Sequence, residues 1–227
     1  MIRVTENLRK IRDLLAKAAE DAGRSVNDVR LLAVSKKQPV AAIREAAAAG
    51  QRDFGENQVL EGVEKITQIA DPALVWHFIG HLQTNKTRMV AEHFDWVHSI
   101  DRLKTARRLS DQRPDDLADL NVCVQVNVDD EQSKSGVPLA DAASLARQVA
   151  GLPRLRFRGL MCLPAIRDTF SEQREPFRRL RELADELRDD GLAVDTLSMG
   201  MSGDFRAAVF EGSTMVRVGT AIFGARK

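Results

Sequence analysis

The chain has 227 residues, of which 34 are basic and 33 acidic, giving a formal net charge of +1. That length suits one domain spanning residues 1–227, and the interspersed charge offers no single-signed field to draw in nucleic acid or an anionic membrane. No apolar run approaches the roughly 20 residues that cross a bilayer, and the two cysteines, Cys123 and Cys162, lie inside apolar stretches and read as buried free thiols in a reducing cytoplasm.

The opening MIRVTENLRKIRDLL lacks the apolar block of a signal peptide, and Glu6, Asp13 and Glu20 set it apart from acid-poor transit peptides. The reading is an amphipathic helix over about 3–22. Short apolar runs then alternate with longer amphipathic or alanine-rich ones. Strands are expected at 31–35, 52–55, 75–80, 96–100, 121–128, 157–163, 196–201 and 215–219. Helices are expected at 39–50, 56–70, 84–94, 101–112, 138–150, 171–190 and 203–212. Pro39 and Pro138 stand at helix starts, and Gly50, Gly151 and Gly191 at helix ends.

Eight strands joined by helical crossovers predict an α/β fold, a single TIM-type (β/α)8 barrel with an extra N-terminal helix. An open doubly wound sheet shares the alternation. Its first strand would run into G-x-G-x-x-G, whereas this one runs into SKKQP.

In such a barrel the functional groups sit at the carboxyl ends of the strands. Period-two alternation puts Leu32, Val34 and Lys36 on one face, so Lys36 enters the barrel mouth. Partial desolvation there, with a second cation at Lys37, favours a neutral amine able to attack an aldehyde. A solvated lysine at a strand end reads equally well on sequence alone. SMGMSGD (198–204) and RVGT (217–220) follow the last two strands, where barrels commonly hold phosphate. Gly200, Ser202, Gly203, Gly219 and Thr220 are the cradle candidates, although simple loop geometry explains either turn taken alone.

Arg217 lies inside the apolar run MVRVG and shares a face with Met215 and Gly219. A buried guanidinium requires an acceptor, either a carboxylate or a ligand. Beside a Schiff-base lysine and a phosphate cradle it fits the partner of the ring nitrogen of pyridoxal 5'-phosphate (PLP). A fixed positive charge there disfavours protonation of that nitrogen and weakens the ring as an electron sink.

AVSKKQP, FGENQ, WHFIGHLQTNK, VHSID, QVNVDDEQSKSG, GLMCLP, LSMGMSGDF and VRVGTAIFG, in order from about residue 30 onward, resemble the successive motifs of the pyridoxal phosphate homeostasis protein family. The resemblance implies the fold type III PLP barrel, which also forms the N-terminal domain of alanine racemases, with PLP held as a Schiff base on Lys36. It further implies that Asn57 approaches the cofactor, that Met201, Ser202, Gly219 and Thr220 contact its phosphate end, and that Arg217 meets its ring nitrogen.

Racemases of this fold set a tyrosine opposite the lysine, and this sequence contains none. The expectation is a PLP-binding protein of vitamin B6 homeostasis rather than an enzyme, with a PLP-dependent amino-acid racemase or lyase as the alternative. An aldolase-like barrel acting on a phosphorylated sugar is a more distant third. His77 and His81 read as structural groups, since a strand and its turn cannot chelate metal at helical spacing, so no metal is expected. Lys86 and Lys134 are either solvated or mark an access surface. The remaining expectations are PLP and apo PLP-dependent enzymes as partners, no nucleic acid or membrane, a monomer, and a cytoplasmic location.

Overall fold

The computed structural model describes residues 4–129 and 135–224. Eight parallel strands form its centre: β1 (Arg30–Val34), β2 (Asp53–Glu56), β3 (Val75–Phe78), β4 (Trp96–Ile100), β5 (Leu120–Asn127), β7 (Leu155–Cys162), β8 (Thr196–Ser198) and β9 (Met215–Val218). A two-residue strand, β6 (Val137–Pro138), only extends the edge of β5. The order β4-β3-β2-β1-β9-β8-β7-β5 closes through pairing of β4 with β5, so the ring has no free edge. All eight expected strands are present and the doubly wound alternative falls.

Helices cover the ring: α1 (Val4–Asp21), α2 (Val40–Ala48), α3 (Val59–Ile69), α4 (Thr87–His93), α5 (Leu103–Gln112), α6 (Leu139–Ala150), α7 (Phe170–Asp189), α8 (Phe205–Phe210) and the short α9 (Thr220–Phe223). In α1 the buried Val4, Leu8, Ile11, Leu15, Ala18 and Ala19 recur at helical spacing. That stripe packs on α2, α8 and α9, and Asn7 ties it to the carbonyl of Ile222 at 3.0 Å. Pro39 and Pro138 stand at the starts of α2 and α6 as expected. The Thr169–Glu172 capping box opens α7.

The period of two divides the core. Leu31, Ala33, Phe54, Phe78, Val97, Val216 and Val218 face the helices in one apolar layer, where each large side chain contributes about 1.5–3 kcal/mol by leaving water. Trp96, Cys123 and Met161 form a separate cluster on the other side of the sheet, inside the ring. Both cysteines are free and buried, and burial pushes the Cys123 thiol up to about 12.

Most boundaries lie within one to three residues of expectation, and two of the shifts have a visible cause. The seventh expected strand reaches 201, but β8 stops at Ser198 because Gly200, at φ +96°, turns the chain out of the ladder. The expected helix at 84–94 begins as a 3-10 turn at Thr84–Lys86 before α4. Among the described residues no helix is long and apolar enough to cross a membrane, and no group of three or more His, Cys, Asp or Glu stands together as metal ligands. Lys134 lies outside the described residues.

Candidate functional site

The carboxyl ends of the strands surround a cavity of about 350 Å³, within the size range of small-molecule sites. Lys36, Asn57, Met201, Ser202, Arg217, Gly219 and Thr220 all line it. They arrive from the ends of β1, β2, β8 and β9, far apart in sequence and adjacent in the ring. Gly80 and His81 after β3, and Leu163 after β7, complete the wall. Gly200 and Gly203 do not line the cavity; Gly200 instead shapes the turn beneath it. Lys86 belongs to an adjoining hollow shared with Asn57 and His81.

Lys36 occupies the turn that ends β1, and a buried polar knot fixes that turn. The Lys65 ammonium donates to the Ser35 carbonyl at 2.7 Å, to Glu56 Oε1 at 2.8 Å and to Glu61 Oε1 at 2.6 Å. The Ser35 hydroxyl donates to Glu56 Oε1 at 2.6 Å, and the Lys37 N–H donates to Glu61 Oε1 at 2.5 Å. Lys37 sits at φ 60°, a left-handed conformation unfavourable to a side chain, and its bond to Glu61 holds it there. Lys37 therefore points away from the cavity while Lys36 faces into it. Desolvation lifts the Glu56 carboxyl above its usual range, against the pull of Lys65 and Ser35.

Asn57 follows Glu56, and its Oδ1 is buried with no hydrogen-bond partner. An orphaned buried acceptor beside a cavity marks a place where a ligand donor fits. The backbone here is tightly packed, since a Cβ on Gly80 would stand 2.2 Å from the carbonyl oxygen of Asn57.

Arg217 is 4% exposed and forms no salt bridge among the described residues. Nη1 donates to the Ser198 carbonyl at 2.5 Å and to Ser198 Oγ at 2.8 Å, and Nη2 donates to the Cys162 carbonyl at 2.8 Å. The carboxylate partner that sequence allowed is thus replaced by neutral acceptors. Burial lowers the Arg217 pKa, although a guanidinium retains its proton, so a cation faces the cavity without a carboxylate in contact.

The two turns at the other end hold the polar hydrogens. The amide groups of Ser202, Gly203, Thr220 and Ala221 have no acceptor among the described residues. The Met201 N–H instead donates to Asp204 Oδ1 at 2.6 Å, so the Met201 side of the expected cradle is already occupied by a carboxylate. A Cβ on Gly219 would come within 3.1 Å of the Val34 carbonyl oxygen, which explains a glycine where β9 meets the mouth.

The polar groups that sequence reasoning passed over are Ser35, Glu56, Glu61, Lys65, His98 and Ser198. Their signal was a polar side chain at a buried strand position, as with Glu56, His98 and Ser198. His77 is fully buried and hydrogen-bonded to Asp53 and His98, a structural group as expected. His81 is half exposed at the rim, 3.8 Å from Asp101.

Three comparisons relate the chain to known proteins. The model of the alanine racemase N-terminal domain family covers residues 3–227. The pyridoxal phosphate homeostasis protein of Pseudomonas aeruginosa is 55% identical over 226 residues, 100% of this chain and 97% of that protein. The solved structure of PipY from Synechococcus elongatus with PLP bound is 39% identical, with a TM-score of 0.84 over 97% of this chain and 100% of that one.

Proposed function

The chain belongs to the pyridoxal phosphate homeostasis protein family, whose barrel is that of the alanine racemase N-terminal domain, and we propose that it binds PLP in the mouth cavity and takes part in intracellular PLP homeostasis. The observation that carries this reading is the convergence in one cavity of a lysine, a guanidinium without a carboxylate in contact, and two turns with unused amide groups. The binding of PLP by PipY supports the choice of ligand.

When bound, PLP supplies an aldehyde that condenses with a primary amine. Lys36 is the amine that would hold it as a Schiff base. Ser202, Gly219 and Thr220 would take the phosphate through hydroxyls and backbone N–H groups, with Met201 contributing its side chain to the wall, since its N–H is engaged by Asp204. Asn57 offers its unpartnered oxygen to a donor on the ring. Arg217 would face the ring nitrogen, where its fixed charge keeps that nitrogen unprotonated and the electron sink weak.

A weak sink and the absence of tyrosine from the sequence favour a carrier over a racemase or lyase. The protein would work as a cytoplasmic monomer and hand PLP to apo PLP-dependent enzymes. Purified protein titrated with PLP should develop a visible absorption band that borohydride alters and that Lys36→Ala abolishes. A preparation that stays colourless with added PLP would overturn the reading. Rapid α-hydrogen exchange of an amino acid in deuterated water would overturn the carrier assignment alone.

A further inference from the structure

A continuous line of side chains crosses the interior of the ring and ends on Arg217. Arg30 and Asp53, at the starts of β1 and β2, form an ion pair. His77 Nε2 lies 3.0 Å from Asp53 Oδ1, and His77 Nδ1 lies 2.9 Å from His98 Nε2. His98 Nδ1 lies 2.8 Å from Ser198 Oγ, which receives the Arg217 Nη1 bond at 2.8 Å. His77, His98, Ser198 and Arg217 are all buried. Trp96 stacks on His77 with ring centroids 5.3 Å apart, fixing the imidazole plane.

The direction of each proton follows from the two ends. Asp53 is an ionised carboxylate and can only accept, so His77 Nε2 carries hydrogen. A neutral His77 then accepts at Nδ1, and His98 must donate from Nε2. His98 in turn accepts at Nδ1, and the Ser198 hydroxyl donates to it. Arg217 can only donate, and Ser198 Oγ receives it. Every bond therefore points the same way, from the guanidinium to the carboxylate, an alignment in which each bond polarises the next. Burial keeps both imidazoles neutral, since a charge on either would be desolvated.

We propose that Asp53, His77, His98 and Ser198 are positioning residues for Arg217: a one-way hydrogen-bond chain that orients the guanidinium at the cavity floor and couples it to a carboxylate at the opposite end of the barrel. The chain deepens the PLP reading, because it sets the charge that would face the ring nitrogen. It also accounts for three polar side chains at buried strand positions, His77, His98 and Ser198.

The test has two arms. In ligand-free, 15N-labelled protein, two-bond correlation spectra should assign both His77 and His98 as neutral Nε2–H tautomers at pH 7, with His98→Gln and His77→Gln identifying the signals. Either imidazole found cationic, or as the Nδ1–H form, would break the chain irrespective of any ligand. In the second arm, Ser198→Ala and Asp53→Asn should each weaken PLP binding about tenfold, the equivalent of one charge-assisted bond, and shift the visible band of the loaded protein. Unchanged affinity and spectrum in both variants would refute positioning. A wild-type protein that binds no PLP would overturn the proposed function instead and leave the tautomer result to decide the chain.

Discussion

The turn that carries Lys36 is anchored by formal charges, Lys65 bonded to both Glu56 and Glu61, whereas the strand that carries Arg217 is anchored by a hydroxyl, two imidazoles and main-chain carbonyls. Both anchors are buried, yet they fail differently. In the first, loss of Lys65 leaves the fully buried Glu56 carboxylate without a counter-ion. In the second, neutral links can be broken singly at the cost of one hydrogen bond. A lysine that must stay reachable by an aldehyde is thereby held by a stiff clamp on its backbone, while a guanidinium that only presents charge is held by groups that transmit polarity.

The harshest test of that contrast is Lys65→Met, which strands the buried Glu56 and takes one partner from Glu61. It should cost about 3–5 kcal/mol in urea unfolding, and adding Glu56→Gln should recover part of the loss because an amide brings no charge to desolvate. A loss below about 1 kcal/mol would mean that solvent already screens the knot, and the contrast would lapse.

A smaller effect should come from acid. The folded imidazoles of His77 and His98 take up protons only below the ordinary value of 6.5. Below that pH the unfolded chain binds protons that the native state does not, so stability falls as pH falls through 6.5 and is undiminished above it. Between pH 7 and 5 the loss should be about 1–3 kcal/mol, and His98→Gln should flatten the slope. An equally steep profile in that variant would assign the acid response elsewhere. Least affected should be Arg30→Gln, since the Arg30 side chain is 43% exposed and His77 still occupies Asp53. Its cost should fall within about 0–1 kcal/mol; a larger value would show that the carboxylate end of the chain depends on Arg30.

Much of the frame was legible in the sequence. Alternation placed Lys36 and Arg217 on the inward face, and the glycine-bearing turns after the last two strands of the ring marked the far wall of the cavity. The anchors were hidden for physical reasons. Glu61 and Lys65 look like an ordinary surface pair one helical turn apart, and only the packing of α3 against β2 and β3 buries Lys65. His98 and Ser198 are 100 residues apart, so their contact exists only once the ring closes. The two-residue β6 had no periodicity to reveal it.

The close approach of Gly80 to Asn57 has a consequence for anyone reshaping this barrel. At 2.2 Å from a main-chain oxygen, the smallest side chain at position 80 has nowhere to go, although the residue itself is partly exposed. A saturation library would find this spot intolerant, while the exposed side chains of Leu163 and Met201, elsewhere on the rim, accept variety. Traffic through the opening can therefore be engineered residue by residue, except at the point on the β2–β3 side where Gly80 meets the Asn57 carbonyl, which is fixed by peptide backbone.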